Sequence, residues 1–453
     1  MKLAIISDTH FGDPDGQLVT RDDALNSFSR GPKYQAFHDA LKSRAPLDYL
    51  VLNGDIFDLS VAEYRDAYAC AQAFFRFVIE DDLVRPSAKG DDRGGGFIYL
   101  AGNHDADIWH IMQHERSVIN PVATGDLPWP YDHAVPAIID DRKQSPNQGL
   151  TLSGVSPYGG DGYKYGGMFL DGLLNGIAGQ IDKYNPAEYR YHFNFAFPNL
   201  YIVTDKECVL VTHGQYFEGY WSLLGELVKN IAGVDMDLGS EEIAVCMEDL
   251  VAMNYPLNQL ACTGIGQAGI LTNRLIRPLR REIGSGQYER FSNYVERLKN
   301  ILIDDVTAGK SSCVRMAGSV IKKIFFKKAL LEKVKESQDT RYRTDFLTDP
   351  AVRARFDRFF KSSCVEIGNI NTSSEFLHCQ LPVPSSVIFG HTHQPIGLKD
   401  PSPPYRSFMI DTKPVTVKLY NSGGWLQEAG QAFCGAEIFI YESGAGFSSV
   451  PIK

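Results

Sequence analysis

Five short apolar runs along the chain share one design, in which each ends abruptly and is followed by residues that bind metals or move protons. Residues 97–100 read Phe-Ile-Tyr-Leu, the small pair Ala101-Gly102 ends the run, and Asn103, His104 and Asp105 follow. The same arrangement recurs where residues 3–7 lead into Asp8-Thr9-His10, 49–52 into Asn53-Gly54-Asp55, 208–212 into His213-Gly214, and 387–389 into Gly390-His391-Thr392-His393. Near-continuous apolar runs of this length predict strands covered on both faces. In α/β proteins ligands gather beyond the carboxyl ends of such strands, so five strand ends are expected to converge on one pocket.

Between these runs the period changes. Tyr34, Phe37, Ala40 and Leu41 alternate with charged residues at helical spacing over 34–45, and residues 61–80, rich in Ala, Phe and Tyr, predict a second crossover helix. Residues 89–96 read as a polar, Gly-rich loop before the central strand. Pro121, Pro128, Pro130 and Pro136 forbid a long helix after residue 108, and the Gly-rich tract 153–179 reads as a loop carrying a short apolar segment around 168–177. Residues 193–203 and 207–212 predict a hairpin turning at Thr204-Asp205-Lys206 and delivering His213. Closing strands are expected over 405–412, 416–420 and 436–441. The turn Asn421-Ser422-Gly423-Gly424-Trp425 sits among them, with Asn421 expected to reach toward the pocket as a substrate-binding residue.

Residues 217–380 break this rhythm. They separate two ligand-bearing strands and are mostly helical in pattern, with helices predicted at 221–231, 241–253, 270–283, 288–303, 319–335 and 351–360. The expected organisation is a catalytic domain in two parts, 1–216 and 381–453, with 217–380 inserted as a cap over the strand ends. The insertion is locally basic: residues 274–299 hold seven Lys or Arg against three acidic residues, and 315–343 hold nine against three. Arg277, Arg280 and Arg281 are therefore candidates for reading substrate charge, against the simpler reading of a solvated helix face. Lys327 interrupts the apolar arc of Val320, Ile324, Leu331 and Val334, an imperfect amphipathic helix that leaves peripheral membrane contact open without arguing for it.

Composition narrows the class. With 453 residues, 44% hydrophobic and 22% charged, the chain can bury a large core. A net charge of −10 disfavours a protein that coats nucleic acid through its whole surface. Met1-Lys2 runs directly into the first strand, leaving no room there for a secretion signal, and no apolar run approaches the ~18 residues of a spanning helix. Eight scattered cysteines without a C-x-x-C pair suit reduced thiols, so a cytoplasmic setting is expected.

The strand-end residues define the chemistry. Asp8, His10, Asp55, Asn103, His213, His391 and His393 offer mixed nitrogen and oxygen donors suited to divalent manganese, iron or zinc. Seven are too many for one four-coordinate ion, which points to two cations with Asp55 as the bridge. Two such ions roughly 3.5–4 Å apart clamp an in-line phosphoryl displacement and lower the pKa of a shared water toward about 7. His104 is then placed to protonate the leaving oxygen as general acid, with Asp105 expected to orient it. Asp58 reads as a supporting carboxylate, and His38, His110, His114, His133, His192 and His378 as structural.

The ordered set D-x-H, G-D-x-x-D, G-N-H-D, His-Gly and G-H-T-H closely resembles the calcineurin-like metallophosphoesterases over about 1–110, 195–216 and 383–445. The resemblance implies two sheets packed as a β-sandwich flanked by helices, in four layers αββα. It further implies a binuclear centre in which Asp8, His10, Asp55 and His393 hold one ion, and Asp55, Asn103, His213 and His391 the other. A small-molecule or lipid-linked phosphoester is the implied substrate, whether monoester, diester or pyrophosphate. Family members acting as protein Ser/Thr phosphatases carry Arg-Gly after the second motif, where this chain has Leu59-Ser60. Gly-Asp-Ile-Phe-Asp is similar to the exonuclease branch, whose cap follows the last motif. The Asn-Ser-Gly-Gly-Trp turn resembles UDP-2,3-diacylglucosamine hydrolases, which carry Arg at the position of His104. Some relatives of the fold have lost ligands and serve as scaffolds, whereas every ligand position is filled here.

Overall fold

A computed structural model describes residues 1–22, 27–88, 96–145, 148–152, 168–181, 188–219, 221–222, 225, 246–263, 289, 293, 348–373, 380–410, 412–427 and 432–453. The chain is a mixed α/β fold with two large sheets. The first runs in the order His192–Ala196, Gly96–Leu100, Tyr49–Asn53, Lys2–Ile6, Ala436–Glu442, Gly446–Ile452. Its first four strands are mutually parallel, and the last two close it antiparallel. The second runs Tyr405–Ile410, Lys413–Asn421, Ser386–Phe389, Cys208–Thr212, Asn199–Val203, Ala137–Asp140, Gly149–Leu152.

The five apolar runs are all strands, and all but the edge residue Lys2 are buried. Ile5, Val51 and Ile98 of the first sheet and Leu210, Ile388 and Leu419 of the second belong to one continuous core. Burying each such side chain contributes ~1.5–3 kcal/mol, which anchors every ligand-bearing strand end. The predicted helices appear at Tyr34–Lys42 and Tyr64–Glu80, and the apolar segment near 168 is the helix Met168–Ala178.

Two expectations change. The expected hairpin forms only between Asn199–Val203 and Cys208–Thr212, antiparallel in the second sheet; Pro198, which has no N–H for a ladder, interrupts the run 193–203, so His192–Ala196 pairs in the first sheet instead. The helix expected to end at 360 continues as Pro350–Thr372, started by Asp349, whose Oδ1 accepts the Ala351 N–H at 2.8 Å. That helix packs on the second sheet: Phe360 stacks on Phe408 with centroids 4.7 Å apart, and Glu366 accepts from the Tyr201 hydroxyl at 2.6 Å. The helix Met247–Cys262 lies against it and against the helix Ala106–His114, which begins immediately after Asp105. Apart from residues 221–222, 225, 289 and 293, the other predicted insertion helices, and Arg277, Arg280 and Arg281 with them, lie outside the described residues. Among the described residues no helix is long and apolar enough to cross a membrane.

Candidate metal centre

Each ligand-type residue sits one to four positions past a strand, and the backbone there bends sharply. Asp8, His10, Asp55, His391 and His393 have φ of 52°, 47°, 52°, 68° and 56°, in the left-handed region that non-glycine residues rarely occupy. At ~1–3 kcal/mol each, such strain persists only where neighbours over-determine it, as they do at functional sites. The neighbours here are identifiable. Asp8 N–H donates to Gly54 O at 3.0 Å and His10 N–H to Asp55 O at 2.9 Å, tying the first turn to the second. His391 N–H donates to both carboxylate oxygens of Asp8 at 3.0 Å, tying the last turn to the first.

The side chains converge as two buried groups, Asp8 with His10 and His393, and Asp55 with His213 and His391. Asp55 Oδ2 stands between them, 3.2 Å from His213 Nε2 and 3.8 Å from His10 Nε2. Asn103 Oδ1 joins the second group 3.2 Å from His213 Nε2. All seven residues are brought together, and glycine makes the approach possible. A Cβ on Gly102 would lie 2.2 Å from Asp55 Oδ1, and one on Gly390 2.2 Å from Asp8 Oδ2.

The hydrogen-bond pattern tests whether cations fit. His10 Nδ1 lies 3.0 Å from Asp58 Oδ2 and donates to it, and His213 Nδ1 likewise donates to Asn53 O at 3.0 Å. Both rings therefore turn the Nε2 lone pair into the centre. His10 Nε2 is 3.2 Å from His393 Nε2, and His213 Nε2 faces the oxygens of Asp55 and Asn103. His391 Nδ1 is buried with no hydrogen-bond partner among the described residues. Lone pairs facing lone pairs in a buried site repel unless a cation or proton lies between them, so the donor set fits divalent ions.

The electrostatics of the protein alone agree. Burial opposes ionisation of Asp55, but the charges of His213 and His104 outweigh it and hold its carboxyl well below the usual range. Burial would lower His213, yet Asp55 and Asp8 push it up to about 9. The site attracts positive charge, which protons supply when cations do not.

Asp58 is the supporting carboxylate anticipated, and its reach is wide. It accepts from Nδ1 of both His10 and His104, at 3.0 and 3.1 Å, and also from Ser60 N–H at 2.9 Å. Asp105 does not orient His104. Its carboxylate accepts from the backbone N–H of Gly102 at 2.6 Å and Ile56 at 2.7 Å, and from the Tyr99 hydroxyl. The chain bends at residues 103–105, so Asp105 braces the turn that carries Asp55 while the imidazole beside it looks elsewhere. Burial and the charge of Asp55 push Asp105 up to about 6.

Asn421 is fully buried and not presented to a substrate. Its amide donates to Gly390 O at 3.1 Å and Thr392 Oγ1 at 2.7 Å, and its carbonyl accepts from Gly423 N–H at 2.7 Å, which holds the loop bearing His391 and His393.

Sequence reasoning passed over two neighbours. Trp221 packs edge-on against His104, with ring centroids 5.9 Å apart. Glu218 Oε2 lies 2.9 Å from His391 Nε2. Neither belongs to a motif. An acidic residue four positions after the His213-Gly214 pair is the sequence signal for Glu218.

A family model described as calcineurin-like phosphoesterase matches residues 1–219, a span that includes Asp8, His10, Asp55, Asn103, His104 and His213. No curated protein matches the chain.

Proposed function

We propose, from the premise that the chain belongs through residues 1–219 to the calcineurin-like phosphoesterases, that it hydrolyses a phosphoester bond at a centre of two divalent cations. The observation carrying this reading is Asp55 Oδ2 standing between two buried histidine and aspartate groups whose lone pairs face inward. Asp8, His10, Asp55 and His393 would hold one ion, and Asp55, Asn103, His213 and His391 the other; manganese, iron and zinc all suit these donors. Bound there, divalent cations supply Lewis-acid polarisation of the phosphoryl group and an acidified water.

The chain's own residues do the rest. His104, held at Nδ1 by Asp58, is placed to deliver a proton to the leaving oxygen. Trp221, 6% exposed, covers one edge of that ring and shields it from water. Asp105 and Asn421 act on the backbone, holding the turns that bear Asp55 and the two C-terminal histidines. The insertion, with Arg277, Arg280 and Arg281, is assigned to selecting a small or lipid-linked substrate.

The test is hydrolysis of a chromogenic aryl phosphodiester beside the matching monoester by manganese-loaded protein, with Asp55→Asn as control. Turnover of at least one ester, nearly abolished in the variant with loss of one ion, is expected. Absence of turnover of both esters by fully loaded protein would favour a scaffold on the same fold.

A further inference from the structure

Glu218 lies outside every motif, yet it touches a candidate ligand directly. It follows the 3-10 turn Gln215–Phe217, which begins two residues after His213, and its N–H donates back to Gln215 O at 3.3 Å. That turn is wedged in place by rings. Phe217 packs on Phe389 at 5.6 Å, and on Phe356 and Phe359 of the helix Pro350–Thr372 at 5.2 and 5.3 Å; Tyr216 stacks on Phe359 at 5.4 Å. Glu218 is therefore delivered to its position by packing from two sides, and it is 6% exposed.

Its Oε2 lies 2.9 Å from His391 Nε2, while Nδ1 of the same ring is buried and has no hydrogen-bond partner among the described residues. An imidazole that donates from one nitrogen to a carboxylate carries its lone pair on the other, and that pairing fixes both tautomer and ring orientation. His391 belongs to the group with Asp55 and His213, so the orphaned Nδ1 is the nitrogen left for a cation there.

We infer that Glu218 is a positioning residue for the cation held by Asp55, Asn103, His213 and His391, acting through His391: it accepts the hydrogen bond from Nε2–H and leaves the Nδ1 lone pair as the ligand. This rests on the two-cation reading above. It also gives the turn between His213 and the insertion a defined task, because the same short segment that closes on the rings of the helix Pro350–Thr372 sets one metal ligand.

The experiment is a manganese titration of full-length protein stripped by chelation, followed by calorimetry and elemental analysis, with unfolding of the metal-free protein as a folding check. Wild type should bind two equivalents. Glu218→Ala should weaken one of the two steps by ~10–100-fold and leave the other unchanged. Glu218→Gln, whose carbonyl oxygen can still accept from Nε2, should stay within about tenfold of wild type, the rescue expected of a hydrogen-bonding role. Two wild-type steps in Glu218→Ala would overturn the inference, and so would a loss in Glu218→Gln as deep as in Glu218→Ala, which would make the carboxylate itself a ligand. If Glu218→Ala fails to fold, Glu218→Asp carries the test, since its shortened side chain should weaken the same single step. Wild type binding fewer than two ions would instead refute the two-cation reading.

Discussion

Replacing Gly102 by alanine tests how tightly the centre is built. The new Cβ would lie 2.2 Å from Asp55 Oδ1, 2.9 Å from its Cγ and 2.5 Å from its backbone nitrogen. Ordinary contact needs roughly 3.5 Å, so the two segments must separate by about 1 Å. Neither can yield freely. Asp55 Oδ1 accepts the His104 N–H at 2.8 Å, Asp55 O accepts from His10 N–H at 2.9 Å, and Gly102 N–H is held by Asp105 at 2.6 Å. Overpacking of this kind costs ~1–3 kcal/mol of stability, and a displacement near 1 Å at the reacting centre costs roughly a hundredfold in rate. Because Asp55 stands between both groups, both cations should weaken. The assay is manganese stoichiometry and aryl phosphodiester turnover, with thermal unfolding in chelator. Gly368→Ala is the control. At its site in the helix Pro350–Thr372 the added Cβ meets nothing within 4 Å beyond its chain neighbours and the backbone of its own helix, so it should stabilise by ~0.5–1 kcal/mol and leave metal and rate unchanged. Gly102→Ala protein that keeps two tight manganese ions and turnover within about twofold of wild type would refute the reasoning.

Two further outcomes follow from buried carboxylates. Asp58→Asn removes the charge shared by His10 and His104, so turnover of alkyl phosphoesters should fall by ~10²–10⁴-fold, and turnover of esters with a good aryl leaving group far less. A loss independent of leaving group, at matched metal content, would remove His104 from the acid role. Burial pushes Glu366 up to about 7 against the hydrogen bonds from Asn199 and Tyr201, with Glu248 adding to the rise. The folded protein then holds a proton that the unfolded chain releases near its ordinary value of about 4.3, so this group's stabilisation is complete below that value and is lost as pH rises through about 7. Glu366→Gln should accept both hydrogen bonds without that loss. The stability difference between variant and wild type should grow by up to about 3 kcal/mol between pH 4.5 and 8, read from melting curves; a difference independent of pH would contradict the assignment.

What the sequence determined is local. A strand that ends in small residues and then presents Asp, Asn or His places those groups within a few positions of the sheet edge whatever the rest of the chain does. Asp8, Asp55, His213 and His391 were therefore legible as members of one centre, and with them the metal-dependent chemistry. The apolar period likewise marked the helices Tyr34–Lys42 and Tyr64–Glu80. The tertiary structure decided what lies across sequence distance. Asp58 reaches His104 over 46 positions and Glu218 reaches His391 over 173, and no spacing rule links such pairs. Asp105 shows the converse: next to His104 in the chain, it is turned by the bend at 103–105 toward the 55–57 turn instead. Residues 193–203 show a third limit, because an apolar run states that a strand is buried but not which sheet will pair with it. Ligand identity is set by covalent neighbours; the orientation of each ligand is set by whatever packing brings alongside it.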